Sequence, residues 1–412
     1  MNTYAIIILA ALVINFLIDA VADILNLKAL RTNLPTEFVG IYKKEDYEKS
    51  QRYSRQQTKF GQVSAVFDLA LVLIFWFSGG FNLLDIMVRG LGHGPVLSGL
   101  IYIGIILIGK TIISLPFSIY STFVLEARFG FNRTTPSVFI TDLAKTLLLT
   151  VVLGAPLLFC ILAFFAWAGP RAWLYGWGIA TIFTLIVQFV APTWIMPLFN
   201  KFTPLAEGEL KSQIMAYAKS VGFTLANIFV MDGSKRSSKS NAFFTGFGKH
   251  KRIALFDTLI DQHEPSELVA VLAHEIGHYK KKHILKGMVI SIMYMGVMFY
   301  LLGIFCYNSS LYEAFFMSQQ PVYAGMIFFG LLFTPLEMLL SMVMNVWSRH
   351  NEFEADSFAV TTTGTADFLI KALKKLAANN LANLTPHSFY VFWHYSHPPL
   401  LTRIKAMREI SK

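Results

Sequence analysis

The sequence predicts an all-α polytopic membrane protein, and three observations predict it. Of 412 residues, 55% are hydrophobic and 15% charged, with a mean hydropathy of +0.53, a balance that soluble domains rarely show. A hydrocarbon core of about 30 Å takes roughly 20 apolar residues to cross as a helix, and seven runs of that length occur. Lys and Arg are crowded into alternate loops between those runs, as cytoplasmic loops require.

The runs lie near residues 4–27, 63–84, 96–119, 146–168, 172–196, 286–308 and 322–346. The first lacks a preceding basic region and a small-residue cleavage site after it, so it reads as a retained span rather than a secretory signal. Lys28, Arg31, Lys43, Lys44, Lys49, Arg52, Arg55 and Lys59 follow it; the second loop holds only Arg89, the third Arg128, Arg133 and Lys145, and the fourth only Arg171. Loops one, three and five and the C-terminal tail are therefore expected in the cytoplasm, with the N-terminus on the opposite side. Cys160 and Cys306 fall inside spans and read as small apolar residues, no basis for a disulfide framework. A net charge of +10 without one basic, aromatic-interleaved patch argues for topology and against a nucleic-acid partner.

Four segments follow: 1–196 with spans one to five, 197–285 outside the lipid, 286–346 with spans six and seven, and 347–412 outside again. The two outer segments share the cytoplasmic side and can form one α+β domain. Residues 207–221 read as an amphipathic helix, 227–231 as a strand, and 240–247 with 252–256 as a strand pair. Pro265, Ser266 and Glu267 open a helix that continues without a breaker to His283 and is expected to run into span six.

That helix carries Ala273-His274-Glu275-Ile276-Gly277-His278-Tyr279. Residues four apart share a helical face, so His274 and His278 can give two imidazole nitrogens to one Zn²⁺. Glu275, one step round, can reach water at the metal without binding the metal, which suits a general base. The pattern arises by chance in a chain this long on the order of 1% of the time, so it is informative alone. A catalytic centre needs a third protein ligand and an open position. Asn351-Glu352-Phe353-Glu354-Ala355-Asp356 supplies one: Glu352 is preferred, because Asp356, one turn on, can accept a proton from a ligand imidazole, while Glu354 points away. In the tail, the residues of His394-Tyr395-Ser396-His397-Pro398-Pro399-Leu400-Leu401-Thr402-Arg403 suit a developing oxyanion, with an imidazole aimed there, or form simply a Pro-Pro turn beside a His. His250, His263 and His283 read as surface residues.

With these motifs the chain closely resembles the type I CAAX prenyl endopeptidases, membrane metalloproteases that cleave the C-terminal tripeptide from prenylated proteins. The likeness covers nearly the whole length and includes Phe129-Gly130-Phe131-Asn132, Pro197-Leu198-Phe199-Asn200-Lys201-Phe202, Asn241-Ala242-Phe243, Glu352 to Asp356 and His397-Pro398-Pro399. The resemblance implies a hollow barrel of seven tilted helices around a water-filled chamber, a small zincin-like catalytic domain, and one zinc per chain. It also implies an edge strand, Asn241 to Gly246, that takes the substrate as an added strand, and a site lined by His397 and Arg403, with His397 stabilising the oxyanion. Asp19, Asp68, Lys110, Gln188 and Glu337 fall within spans, where they would face such a chamber or pair across a packed bundle. The implied partners are the bilayer and a peptide farnesylated or geranylgeranylated at a C-terminal Cys, and a monomer is expected. A eukaryotic member would sit in the endoplasmic reticulum, a bacterial one in the inner membrane. Rival readings are a broad quality-control zinc protease, disfavoured by seven spans, and a transporter or receptor with a structural metal, disfavoured by a ligand set that leaves a position open.

Overall fold

The computed structural model describes residues 1–225, 227–245 and 252–412. Among these, seven helices are long and apolar enough to cross a membrane: Thr3–Ala29, Lys44–Phe77, Pro95–Glu126, Pro136–Trp167, Gly169–Phe199, His283–Phe305 and Val322–Thr363. They correspond to the seven apolar runs. The second run was expected to continue to residue 84, but its helix ends at Phe77. Gly79 takes the left-handed conformation (φ 72°) and a separate short helix, Gly80–Arg89, follows. The seventh helix continues well past the lipid-length stretch, carrying Glu352 and Asp356 with it.

The helices form a thin wall. Three of them bury only 6% of their most apolar stretch, because each touches few neighbours. The accessible surface is 20900 Å², against roughly 16,000 Å² for a compact chain of this mass. A wall one helix thick, with lipid on one side and a hollow on the other, accounts for both. The hollow also accommodates intramembrane polar groups, which lipid would not: Asp68 and Lys110 form an ion pair, and Asp19 and Glu337 line a pocket of about 410 Å³ with Asn345 and His394. At one end the wall is tied by aromatic packing. Phe315 and Phe328 stack with centroids 3.9 Å apart, and the Trp76 indole N–H donates to the Ala314 carbonyl at 2.7 Å.

At the other end sits a four-stranded sheet in the order β1-β2-β4-β3. Its strands are β1 Phe202–Pro204, β2 Asn227–Met231, β3 Ala242–Thr245 and β4 Arg252–Phe256. The β2–β4 pair is parallel; β1–β2 and β3–β4 are antiparallel. The three-residue β1 escaped the sequence reading, being too short to show a period. Strand β3 lies at the sheet edge; Gly246, Phe247 and His250 lie outside the described residues.

The helix bearing the two histidines is Pro265–Lys280, opened by a capping box in which Glu264 and Glu267 each accept the other's backbone N–H. It does not run into span six. Lys282 takes φ 59°, a left-handed break rare for a residue with a side chain, and a new helix starts at His283. Nor are His263 and His283 surface residues. They are 8% and 5% exposed, His263 bridging the Leu259 and Ala372 carbonyls.

One hydrophobic core joins the two outer segments: Ile214, Leu255, Leu268, Ala273 and Ile276 pack with Ala359, Leu369, Ile404 and Met407. Glu267, fully buried, ion-pairs with Lys371 at 3.0 Å and Lys375 at 2.8 Å on the Asp367–Asn379 helix. The segment after the first span clamps the tail as well. Glu37 meets Lys374 and Arg408, and the Tyr42 hydroxyl donates to the Ala377 carbonyl at 3.1 Å.

The histidine helix and the Val322–Thr363 helix meet closely where Gly277 faces Ala355. A Cβ at Gly277 would lie 3.0 Å from both the Cα and the carbonyl oxygen of Ala355 and 3.2 Å from the Phe358 Cβ. Gly277→Ala is therefore expected to destabilise the protein by roughly 1–3 kcal/mol through forced separation of the two helices. Gly104→Ala, where nothing lies within 4 Å, serves as control, and thermal unfolding in detergent reads both.

Glu267 yields a pH-dependent expectation. Burial pushes its carboxyl up, but the Lys375 and Lys371 ammoniums and the Glu264 amide outweigh that and hold it below its ordinary value of 4.5. A depressed folded-state pKa gives stability that is present above the unfolded value and lost as pH falls through the folded one. Glu267→Gln should cost on the order of 2 kcal/mol at pH 7, and the gap between variant and wild-type melting temperatures should close in acid below the unfolded carboxyl pKa.

Candidate metal centre and active site

Four turns of the Pro265–Lys280 helix present His274 and His278 on one face, and the long Val322–Thr363 helix crosses that face. Because Gly277 and Ala355 let the backbones come close, Glu352, one turn before Ala355, and Asp356, just after it, reach across. His274 Nε2 and His278 Nε2 stand 3.1 Å apart. Glu352 approaches them with Oε2 at 3.6 Å from the first and Oε1 at 3.3 Å from the second. All three ligand atoms lie within 4.8 Å of one another.

A cation fits this group. Two imidazole lone pairs and a carboxylate oxygen repel one another when crowded unless positive charge sits among them. Buried Glu352 Oε2 also receives no hydrogen bond from the described residues, although the Arg403 guanidinium lies 3.2 Å away. The donor set, two imidazoles and one carboxylate, suits zinc with an open position.

Around it the structure arranges further groups. The carboxylate of Asp356 lies 2.9 Å from His274 Nδ1 and accepts two guanidinium bonds, from Arg403 Nε at 2.8 Å and Nη2 at 2.6 Å. Arg403 is 7% exposed and so sits behind the centre, bracing Glu352 and Asp356, as well as at its rim. His397 stands opposite: its Nε2 is 3.4 Å from Glu352 Oε1, with 65% of the side chain exposed, and its Nδ1 is 3.0 Å from Ser396 Oγ.

His274, Glu275, His278, Glu352, His397 and Arg403 all line a cleft of about 520 Å³ that Asn241, Ala242 and Phe243 of the β3 edge also border. Asn241 lies just before β3; its carbonyl accepts the Phe256 N–H at 3.1 Å, and its exposed side chain turns back to the Ala242 N–H at 2.9 Å. The deeper wall is apolar, built from Leu259, Val271, Leu369, Leu373 and Leu376. Among the described residues, those the sequence singled out for metal binding and catalysis, with Asn241, are thus brought to one cleft or directly behind it.

Sequence reasoning missed His283 and Glu354. His283 Nδ1 lies 3.0 Å from His278 Nδ1, and its Nε2 lies 2.8 Å from the Glu354 carboxylate. Glu354 points away from the ligand group, as its helical phase requires. No local pattern marks the pair, because five-residue spacing leaves a helical face and only the break at Lys282 restores it.

Known proteins resemble the chain along almost its whole length. Residues 23–201 match the family described as CAAX prenyl protease N-terminal, five membrane helices, and residues 204–411 match peptidase family M48. A CAAX prenyl protease 1 homolog of Oryza sativa is 37% identical, covering 98% of this chain and 96% of its own. CAAX prenyl protease 1 of Saccharomyces cerevisiae is 38% identical, covering 93% and 90%. The crystal structure of S. mikatae Ste24p superposes with a TM-score of 0.93 at 35% identity, over 99% of each chain. Likeness this strong in both sequence and fold, end to end, leaves one assignment: the chain belongs to the CAAX prenyl protease family within peptidase family M48 and is an integral-membrane metallopeptidase.

Proposed function

We propose that this chain holds one zinc ion through His274, His278 and Glu352 and hydrolyses a peptide bond near the C-terminus of prenylated CAAX-type substrates. The observation that carries the proposal is the convergence of three ligand atoms within 4.8 Å in a cleft bordered by the open edge of β3. Zinc bound there supplies Lewis acidity, lowering the pKa of water toward about 7 and polarising a carbonyl.

The chain's own residues do the rest. An extended peptide adds to the edge of β3, its backbone paired there and its alternate side chains directed into the apolar wall of Leu369, Leu373 and Leu376, which suits the aliphatic positions of a CAAX tail. Glu275 takes a proton from the attacking water and delivers it to the departing amine as the C–N bond breaks. His397 meets negative charge developing on the former carbonyl oxygen. Asp356, held by Arg403, fixes the proton of His274 on Nδ1 and so keeps Nε2 free for metal.

In this reading residues 1–196 and 286–346 build the wall, while 197–285 and 347–412 form the catalytic unit, on the cytoplasmic side as the loop charges favour. The N-terminus lies on the other side. All ligands come from one chain, so a monomer suffices, and the hollow gives a lipidated peptide room beside the cleft.

Purified protein is expected to contain one zinc per chain and to cleave a farnesylated CAAX peptide but not its unprenylated twin. Equal cleavage of both would favour a broader membrane-protein protease. Glu275→Ala should keep the zinc and lose roughly 10²–10⁴-fold in kcat; a variant as fast as wild type would remove Glu275 from the mechanism. For His397→Ala a loss of on the order of 10²–10³-fold in kcat is expected, with KM little changed, measured on the same peptide.

A further inference from the structure

We infer that His283 and Glu354 are positioning residues for His278: a two-member relay that fixes the proton of the second histidine ligand and retains the metal. The inference rests on the zinc reading above.

The chemistry of the four nitrogens leaves one consistent arrangement. His283 Nε2 lies 2.8 Å from the Glu354 carboxylate, and a carboxylate can only accept, so that nitrogen carries hydrogen. The neutral ring then has a lone pair on Nδ1, which faces His278 Nδ1 at 3.0 Å. For the contact to be a hydrogen bond, His278 Nδ1 must be the donor. Its Nε2 is thereby left bare, and that is the nitrogen turned toward His274 Nε2 and Glu352. Asp356 imposes the same choice on His274 by direct contact. The two ligand histidines are therefore set by different devices, one by an acid and the other by an imidazole backed by an acid.

The backbone is bent to make this possible. Lys282 adopts φ 59°, a conformation that costs energy for a residue bearing a side chain. It ends the first helix and turns His283 back onto it, where its side chain is 4% exposed among lysines 280, 281, 282 and 286. Glu354 is one third exposed, and its other oxygen has His350 Nε2 at 3.8 Å. A buried imidazole with both nitrogens spent on this one line is unusual for a residue that only fills space.

The test compares zinc release and turnover in full-length protein in detergent. His283→Leu removes the acceptor; His283→Asn keeps an acceptor oxygen where Nδ1 stood; Glu354→Leu removes the carboxylate from a partly exposed position without threatening the fold. Zinc loss to an excess of chelator should be roughly 10- to 100-fold faster for His283→Leu, severalfold faster for Glu354→Leu, and largely restored in His283→Asn. Turnover of the farnesylated peptide should fall through kcat, with KM within about twofold. Cobalt-substituted His283→Leu should also show a shifted d–d absorption that His283→Asn does not.

Wild-type release rates in both leucine variants would overturn the inference, as would His283→Asn behaving no better than His283→Leu, since packing alone would then explain the loss. Wild-type protein without zinc would instead sink the metal-centre reading itself, so the two failures are distinguishable.

Discussion

The contact between Gly277 and Ala355 is the constraint on which the site depends. Two helices that are distant in sequence, with one membrane span between them, must approach until backbone touches backbone. Only at that separation can the short reach of a glutamate and an aspartate, on either side of Ala355 in helical phase, span to imidazoles on the other helix. A methyl group at Gly277 would push all of these apart together. The small residue inside the His-Glu-x-x-His motif is therefore as much part of the metal chemistry as the histidines are, because it sets the distance over which the histidines are matched.

Around that crossing, the protein solves a conflict between two solvents. A thin helical wall satisfies its backbone internally, as lipid demands, while the sheet keeps the open edge of β3 that lipid would not tolerate at a distance from the hydrocarbon. The junction is made by continuing wall helices beyond the lipid, most of all Val322–Thr363, so that the ligand-bearing turn is an extension of a membrane helix rather than a loop. The first span and the segment following it close the arrangement by gripping the tail: Asn26 binds the 383–387 turn, Asp19 accepts from the Trp393 indole at 2.7 Å, and Glu37 holds Lys374 and Arg408.

What the sequence disclosed follows from the range of each interaction. Span positions and the histidine helix depend on patterns within a turn or two, and were legible; so was the nearness of Asp356 to Glu352, a matter of helical phase. The end of the second helix at Phe77 had a local cue in Ser78-Gly79-Gly80 that the longer apolar run outweighed. The break at Lys282 had none, since nothing in a lysine favours the left-handed region, and with it went the reading of His283 as a surface residue. Arg403 was legible as a member of the tail cluster with His397, and its place lining the site came through resemblance; nothing in the terminal helix predicts that its guanidinium would be buried against two acids from much earlier in the chain.

The spread of the candidate centre along the chain has a consequence for how it is assembled. The ligand and bracing groups run from His274 to Arg403, and the brace arrives in the terminal helix Leu400–Ile410. Without residues 400–410 the spans and the histidine helix would remain, yet Glu352 and Asp356 would lack their guanidinium partner and Glu37 would lose Arg408. Bracing of the two carboxylates therefore waits on residues 400–410 folding back onto the site, in whatever order the preceding elements form.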